Sequence, residues 1–157
     1  AQNYLKQAAN VNKNASEVNT NLALMALKSG DVAKAETYLS KGTGSDTFKE
    51  VMGNLNIAKG NYTQAASDLA GVNTNSAALA QILAKDYTSA KTTLSKIKNA
   101  DATTSYLQAV LAARTGDSSA LSSNLKNAIQ QDGTLAARAA KDLEFAKYAN
   151  VVKNLVK

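Results

Sequence analysis

The chain is 157 residues long, 45% hydrophobic but only 5% aromatic, with no Pro, no Cys, no His and a net charge of +6. An Ala- and Leu-rich mixture without Pro favours helix over short sandwich strands, and the length suits one ordinary domain or about four or five helix hairpins. Without Cys or His there is no disulfide framework, no thiolate nucleophile and neither the commonest neutral-pH acid/base group nor the commonest transition-metal ligand, so the expectation is a non-enzymatic protein with no cofactor and no metal.

A leading helix is expected over residues 1–9. Its segment Ala1-Gln2-Asn3-Tyr4-Leu5-Lys6 matches Ala35-Glu36-Thr37-Tyr38-Leu39-Ser40 at an offset of 34. Residue 1 therefore falls where the second helix of an earlier repeat begins, and the expectation is a chain that opens in mid-repeat as the C-terminal part of a longer protein.

Paired helices follow at 16–29 with 31–41, 46–59 with 61–70, 75–84 with 86–97, and 101–115 with 117–131. The four pairs align without gaps around turns at Asp31, Asn61, Asp86 and Asp117, separated by 30, 25 and 31 residues. Each turn sets a helix-stopping Gly (Gly30, Gly60, Gly116) before an Asp or Asn able to cap the next helix. Lys85 replaces the Gly in the third unit, whose first helix is clipped. Between pairs lie polar connections such as Gly42-Thr43-Gly44-Ser45, with Asp46, Asn75 and Asp101 placed to cap the helix that follows. After each turn a small residue (Ala35, Ala65, Ala90) precedes a Leu four positions on (Leu39, Leu69, Leu94), which puts both on one helical face. In the fourth unit Leu121 takes the small position and Leu125 the large one, so looser or differently angled packing is expected there.

Leu135, Ala139, Leu143, Ala146 and Asn150 keep helical spacing over about 134–149, read as a single capping helix before a tail, 151–157, that docks back or frays. The expected organisation is one domain: a half repeat at 1–14, repeats at 15–42, 43–72, 73–99 and 100–131, and a cap at 132–157.

The pattern resembles the tetratricopeptide repeat, in which a small residue early in the first helix is followed by Gly, an aromatic soon after the turn, Ala and a large apolar residue. Here those positions read Ala23, Gly30, Val32, Ala35, Leu39; Gly53, Gly60, Tyr62, Ala65, Leu69; Ala78, Lys85, Tyr87, Ala90, Leu94; and Ala109, Gly116, Ser118, Leu121, Leu125. The likeness covers residues 1–131, although the family's early aromatic and closing Pro are missing and the units are short. It implies an all-α, right-handed α-solenoid of helix-turn-helix repeats with a C-terminal capping helix. The clipped units, the Lys-rich composition and Leu143-Glu144-Phe145-Ala146-Lys147-Tyr148 look like repeat regions of Gram-negative bacterial envelope proteins, which implies a periplasmic or outer-membrane-associated protein, with the cytoplasm as the alternative.

No catalytic constellation stands out. Asp31, Asp46, Asp86, Asp101, Asp117 and Asp132 fall at helix starts, where capping accounts for them. No Gly-rich phosphate loop follows a strand, and no Ser-Lys pair is singled out. Tyr4 with Tyr38, and Tyr62 with Tyr87, recur at equivalent repeat positions, which points to packing between helices; Tyr106 has no such counterpart. All but Arg114 and Arg138 of the 18 basic residues are Lys, and Lys28, Lys59, Lys85 and Arg114 sit at helix ends, where they complement the helix dipole. Nucleic acid, best read by bidentate Arg, is therefore a disfavoured partner. No apolar run is long enough to span a bilayer.

In the resembled family the first helices line a groove. Here they offer Thr20, Leu24, Leu27, Glu50, Asn54, Ile57, Leu79, Tyr106 and Val110, a mixed apolar and amide surface suited to an extended or helical segment. Thr20 and Leu24 stand where some family members clamp a peptide's terminal carboxylate with Lys and Asn, so that activity is not carried over. The functional expectation is a protein-interaction scaffold whose partner is a peptide or protein, with any groove in the first half of the array. The alternative is a spacer with no ligand of its own, and behind both stands a basic nucleic-acid or anionic-surface binder.

Overall fold

A computed structural model of the chain describes residues 2–11 and 16–156. The expected start of the leading helix at Ala1 and the end of the half repeat at 12–14 lie outside them. The described residues are helical throughout, without a strand, and divide into two compact units, residues 1–72 and 73–157.

The first unit holds α1 (Gln2–Val11), α2 (Ser16–Lys28), α3 (Val32–Leu39), α4 (Asp46–Ala58) and α5 (Tyr62–Asp68). The second holds α6 (Asn75–Leu83), α7 (Tyr87–Lys96), α8 (Ala102–Thr115), α9 (Ser118–Gln131), α10 (Thr134–Ala139), a 3₁₀ segment (Leu143–Tyr148) and α11 (Ala149–Leu155). Neighbours in sequence form hairpins: α2 with α3, α4 with α5, α6 with α7, and α8 with α9.

The four hairpin turns share one hydrogen-bond geometry. The amides of Asp31, Asn61, Asp86 and Asp117 donate to the carbonyls of Ala26, Asn56, Gln81 and Ala112 at 2.9, 2.8, 2.9 and 2.9 Å. This six-to-one bond of a Schellman ending needs a left-handed residue before it. Gly30, Gly60 and Gly116 supply φ of 79°, 79° and 83°, and Lys85 adopts φ of 65° in the third turn. The third hairpin therefore turns like the others although its residue carries a Cβ. Beyond the turn, Asp31, Asp86 and Asp117 accept from the amides three residues on at 3.0, 3.1 and 2.9 Å, whereas Asn61 makes no such cap.

Between hairpins the caps shift by one residue from expectation. Ser45 and Thr74, not Asp46 and Asn75, accept from the N3 amides of α4 and α6, because a hydroxyl stands immediately before each of them; Asp101 does cap α8 and shares a capping box with Thr104.

Packing follows the repeat. The small residue of each first helix (Ala23, Gly53, Ala78, Ala109) is buried, and so are Ala35 with Leu39, Ala65 with Leu69, Ala90 with Leu94, and Leu121 with Leu125. At Gly53 the absent side chain matters, since a Cβ would stand 2.4 Å from Leu69 Cγ. Leu121 and Leu125 are both fully buried, so the fourth hairpin closes tightly on itself. Space opens instead beside it, as a cavity of about 450 Å³ lined from α7 by Tyr87 and Leu94, from α8 by Leu111 and from α9 by Ala120.

The expected single helix over 134–149 is broken into α10, the 3₁₀ segment and α11. The apolar stripe placed Leu143 inside, yet Leu143 is 87% exposed and Phe145, off that stripe, is 1% exposed. Local and tertiary bonds outweigh the periodicity. Asp142 Oδ1 accepts from the Glu144 amide at 3.0 Å and starts a new turn, while Glu144 and Phe145 are drawn onto α8. The tail docks back, with Val152 buried in the core of the second unit.

Candidate functional site

The residues expected to line a groove lie on first helices at equivalent repeat positions, and their exposure differs from one to the next. In the first unit α2 packs beside α4. Leu24 and Leu27 on α2 are half-buried against the core of that unit, and Glu50, Asn54 and Ile57 on α4 are half-buried as well. Ile57 belongs to no core cluster, so its apolar surface is the least committed of the five. Thr20 departs from expectation: it is 2% exposed, and its hydroxyl donates to the Ser16 carbonyl at 2.8 Å, a local bond that leaves no polar group for a partner.

In the second unit Leu79 is half-buried against the core, whereas Tyr106 and Val110 are 3% and 6% exposed and are core residues. The reason is the C-terminal segment. Counted back from the turn residues Gly30, Gly60 and Gly116, Tyr106, Val110 and Ala113 occupy the positions that Thr20, Leu24 and Leu27 hold in α2 and that Glu50, Asn54 and Ile57 hold in α4. In α8 that face is covered by the 3₁₀ segment. Tyr106 meets Phe145 edge to face with ring centroids 5.5 Å apart, and its hydroxyl donates to Asp142 Oδ2 at 2.6 Å. Arg138 lies over the other side of the ring, 4.9 Å from its centroid.

Arg114 completes the contact. Its Nε donates to Glu144 Oε2 at 2.7 Å, its Nη2 donates to Glu144 Oε1, and its Nη1 donates to the Ile82 carbonyl at 2.8 Å. Arg114 stands in the last turn of α8 as expected, and its fork in addition binds Glu144 and the last turn of α6. Lys28 stands in the last turn of α2, and Lys59, the residue that closes α4, also reaches Glu36 at 2.8 Å.

Electrostatics are structural throughout. Burial, then the hydrogen bond to Asp142, pushes the Tyr106 phenol well above its usual range. Glu144 raises the Arg114 guanidinium, holding it charged. Asp86 is lowered by Ser89, Asp101 by the Thr104 amide and Asp132 by Thr134, the signature of carboxylates that accept local bonds. Of the carboxylates assigned to caps, Asp46 instead forms an exposed pair with Lys49, and Asp132 binds the amide and hydroxyl of Thr134. Among the described residues no three acidic side chains gather as a metal site, and no helix is long and apolar enough to cross a membrane.

Tyr38 and Tyr87 pack on the cores of their own units as their recurrence suggested, but Tyr4 is 79% exposed and Tyr62 is 37% exposed. The sequence drew attention to Glu144 and Phe145 only through the family likeness of Leu143–Tyr148, and gave neither them nor Asp142 a part in the first-helix face. The available signal was Phe145 itself, a large apolar residue that fell off the apolar stripe. Compared with known proteins, the chain matches no protein-family model, no curated protein and no solved structure.

Proposed function

We propose that the chain is a non-enzymatic interaction scaffold built of tetratricopeptide-like repeats of a right-handed α-solenoid, which binds a peptide or partner protein on the face of its first helices. The observation that carries this reading is the pair α2 and α4. Leu27 on one helix and Ile57 on the next stand at equivalent positions with part of their apolar surface left in water, beside half-buried Leu24 and its counterpart, the amide of Asn54. A self-contained helical pair has no need to leave equivalent apolar groups exposed, whereas a groove that receives a segment does.

The test begins with crosslinking in the native host and identification of what is captured. The purified partner is then titrated against the wild type and against Leu24→Ala with Ile57→Ala. Loss of about tenfold or more in affinity is expected if these side chains anchor it. Unchanged affinity would instead favour the spacer reading, for which the partial packing of Leu24 and Leu27 against their own core already speaks.

A further inference from the structure

The last repeat differs from the first two in one respect: its first-helix face is already filled by a piece of the same chain. Val110 and Ala113 repeat positions that α2 and α4 leave half-open, Tyr106 repeats the place of half-buried Glu50 on α4 and of buried Thr20 on α2, and Asp142–Tyr148 packs on this face through Tyr106 and Ala113. The contacts combine core packing with the chemistry of recognition. A carboxylate is held by an arginine fork, a second carboxylate accepts from a phenol, and an aromatic ring is seated edge-on against Tyr106. The chain has only two arginines, and both converge here, Arg114 on Glu144 and Arg138 on the Tyr106 ring.

The backing of this segment is weak. It is a short 3₁₀ turn between Asp142 and α11, with Leu143 turned out to solvent. Beside it a half-open pocket of about 290 Å³ is lined by Asp142, Phe145, Ala149 and Val152. A tight 3₁₀ turn has poorer internal bonding than an α-helix, and side chains beside an open pocket lack packing partners on that side. Charge acts in the same direction. Residues 73–157 carry eleven basic and six acidic side chains, and two of those acids, Asp142 and Glu144, lie in the segment. Lifting it away exposes a more basic face.

We propose that the α8 face is a peptide-binding site for an acidic–aromatic segment, and that Asp142–Tyr148 is its resident occupant, exchangeable for a partner segment that repeats the order acid, any residue, acid, Phe. This rests on the proposed use of first-helix faces for binding, and it adds a chemistry and a competitor. Arg114 and Tyr106 are the recognising groups, and the C-terminal segment sets how often they are free.

The probe is a fluorescein-labelled peptide with the sequence of residues 140–150, added to the full chain. Wild type is expected to bind it weakly, since a face that is mostly occupied lowers apparent affinity in proportion to its free fraction. Phe145→Ala, which loosens the resident, should raise affinity by about tenfold or more. Glu144→Gln, a milder change that keeps the segment's volume, should raise it less and serves alone if Phe145→Ala unfolds by circular dichroism. Adding Arg114→Gln to either should abolish binding, as should replacing the Glu and Phe of the peptide. Amide exchange across 143–155 should also outpace that of α8 and α9. Absence of peptide binding by every folded variant, or binding indifferent to Arg114, overturns the proposal. So does protection of 143–155 equal to that of α8, and so does a concentration-dependent dimer without peptide binding, which would assign the segment to a second copy. None of these outcomes touches the α2 and α4 titration, so failure here and failure of the scaffold reading remain distinguishable.

Discussion

Arg114 and Glu144, 30 residues apart in sequence, meet in a two-point ion pair that also ties the last turn of α6 through the Ile82 carbonyl. One guanidinium thus joins α6, α8 and the 3₁₀ segment. Both side chains are mostly buried, at 21% and 30% exposed, so the pair is shielded more than a surface bridge. Arg114→Met leaves Glu144 and one carbonyl lone pair without their donor. A loss of about 2 kcal/mol is expected in urea unfolding, and a double-mutant cycle with Glu144→Gln should return a coupling of about 1 kcal/mol or more.

The four turns make a controlled comparison. Gly30, Gly60 and Gly116 take the left-handed conformation freely, and Lys85 takes it with a Cβ. A non-glycine residue there costs about 1 kcal/mol or more, partly offset by the greater freedom glycine has when unfolded. Lys85→Gly is expected to raise the unfolding free energy by about 0.5–1 kcal/mol, and Gly116→Ala to lower it by a similar amount. Opposite signs in thermal unfolding check the account; a destabilised Lys85→Gly would show that the Lys side chain contributes more than its backbone strain removes.

The helices of the four hairpins were legible because the apolar period agreed at every turn with at least one of two further signals, a turn glycine (absent at Lys85) and a capping Asp (replaced by Asn61 in the second turn). Even the clipped third unit obeyed, with Asp86 capping α7 as Asp31 caps α3. The C-terminal region was misread because only period was available there. Leu143 and Ala146 kept helical spacing, but Asp142 could bond its own downstream amide, and Phe145 and Glu144 found partners on α8 that no local pattern reveals. The candidate face failed in the same place for the same reason. Tyr106 and Val110 are buried where an open face was expected, and the Asp142 that Tyr106 meets lies 36 residues downstream.

Gly53 on α4 lies against Leu69, the residue that closes α5. A Cβ there would stand 2.4 Å from both Leu69 Cγ and Cδ1, and Leu69 is fully buried and has little room to yield. Gly53→Ala is expected to destabilise by about 2 kcal/mol, despite the better helix propensity of Ala. Gly133 is the contrast: its φ is −60° and a Cβ would meet nothing within 4 Å. Gly133→Ala should be neutral or stabilising by about 0.5 kcal/mol. Equal effects at the two sites would show that the α4–α5 contact relaxes freely.

Tyr106 gives the fold an alkaline limit. Burial, then the hydrogen bond to Asp142, raises its phenol above the ordinary 10.0, so the folded state disfavours the phenolate. The unfolded chain ionises first. The stabilisation is therefore complete below pH 10 and is lost as pH rises from there through the raised folded value. Urea unfolding of the wild type should show stability falling between pH 10 and 12 by more than it falls in Tyr106→Phe, which has no phenol at this position. At pH 7 the same substitution should cost about 1 kcal/mol, because Asp142 loses its donor. Phenolate absorbance provides a second reading: the folded chain should show an ionisation step displaced upward that the Phe variant lacks. Parallel pH dependences for the two proteins would mean that Tyr106 is open to solvent, and the 3₁₀ segment would then not lie closed over α8 in solution.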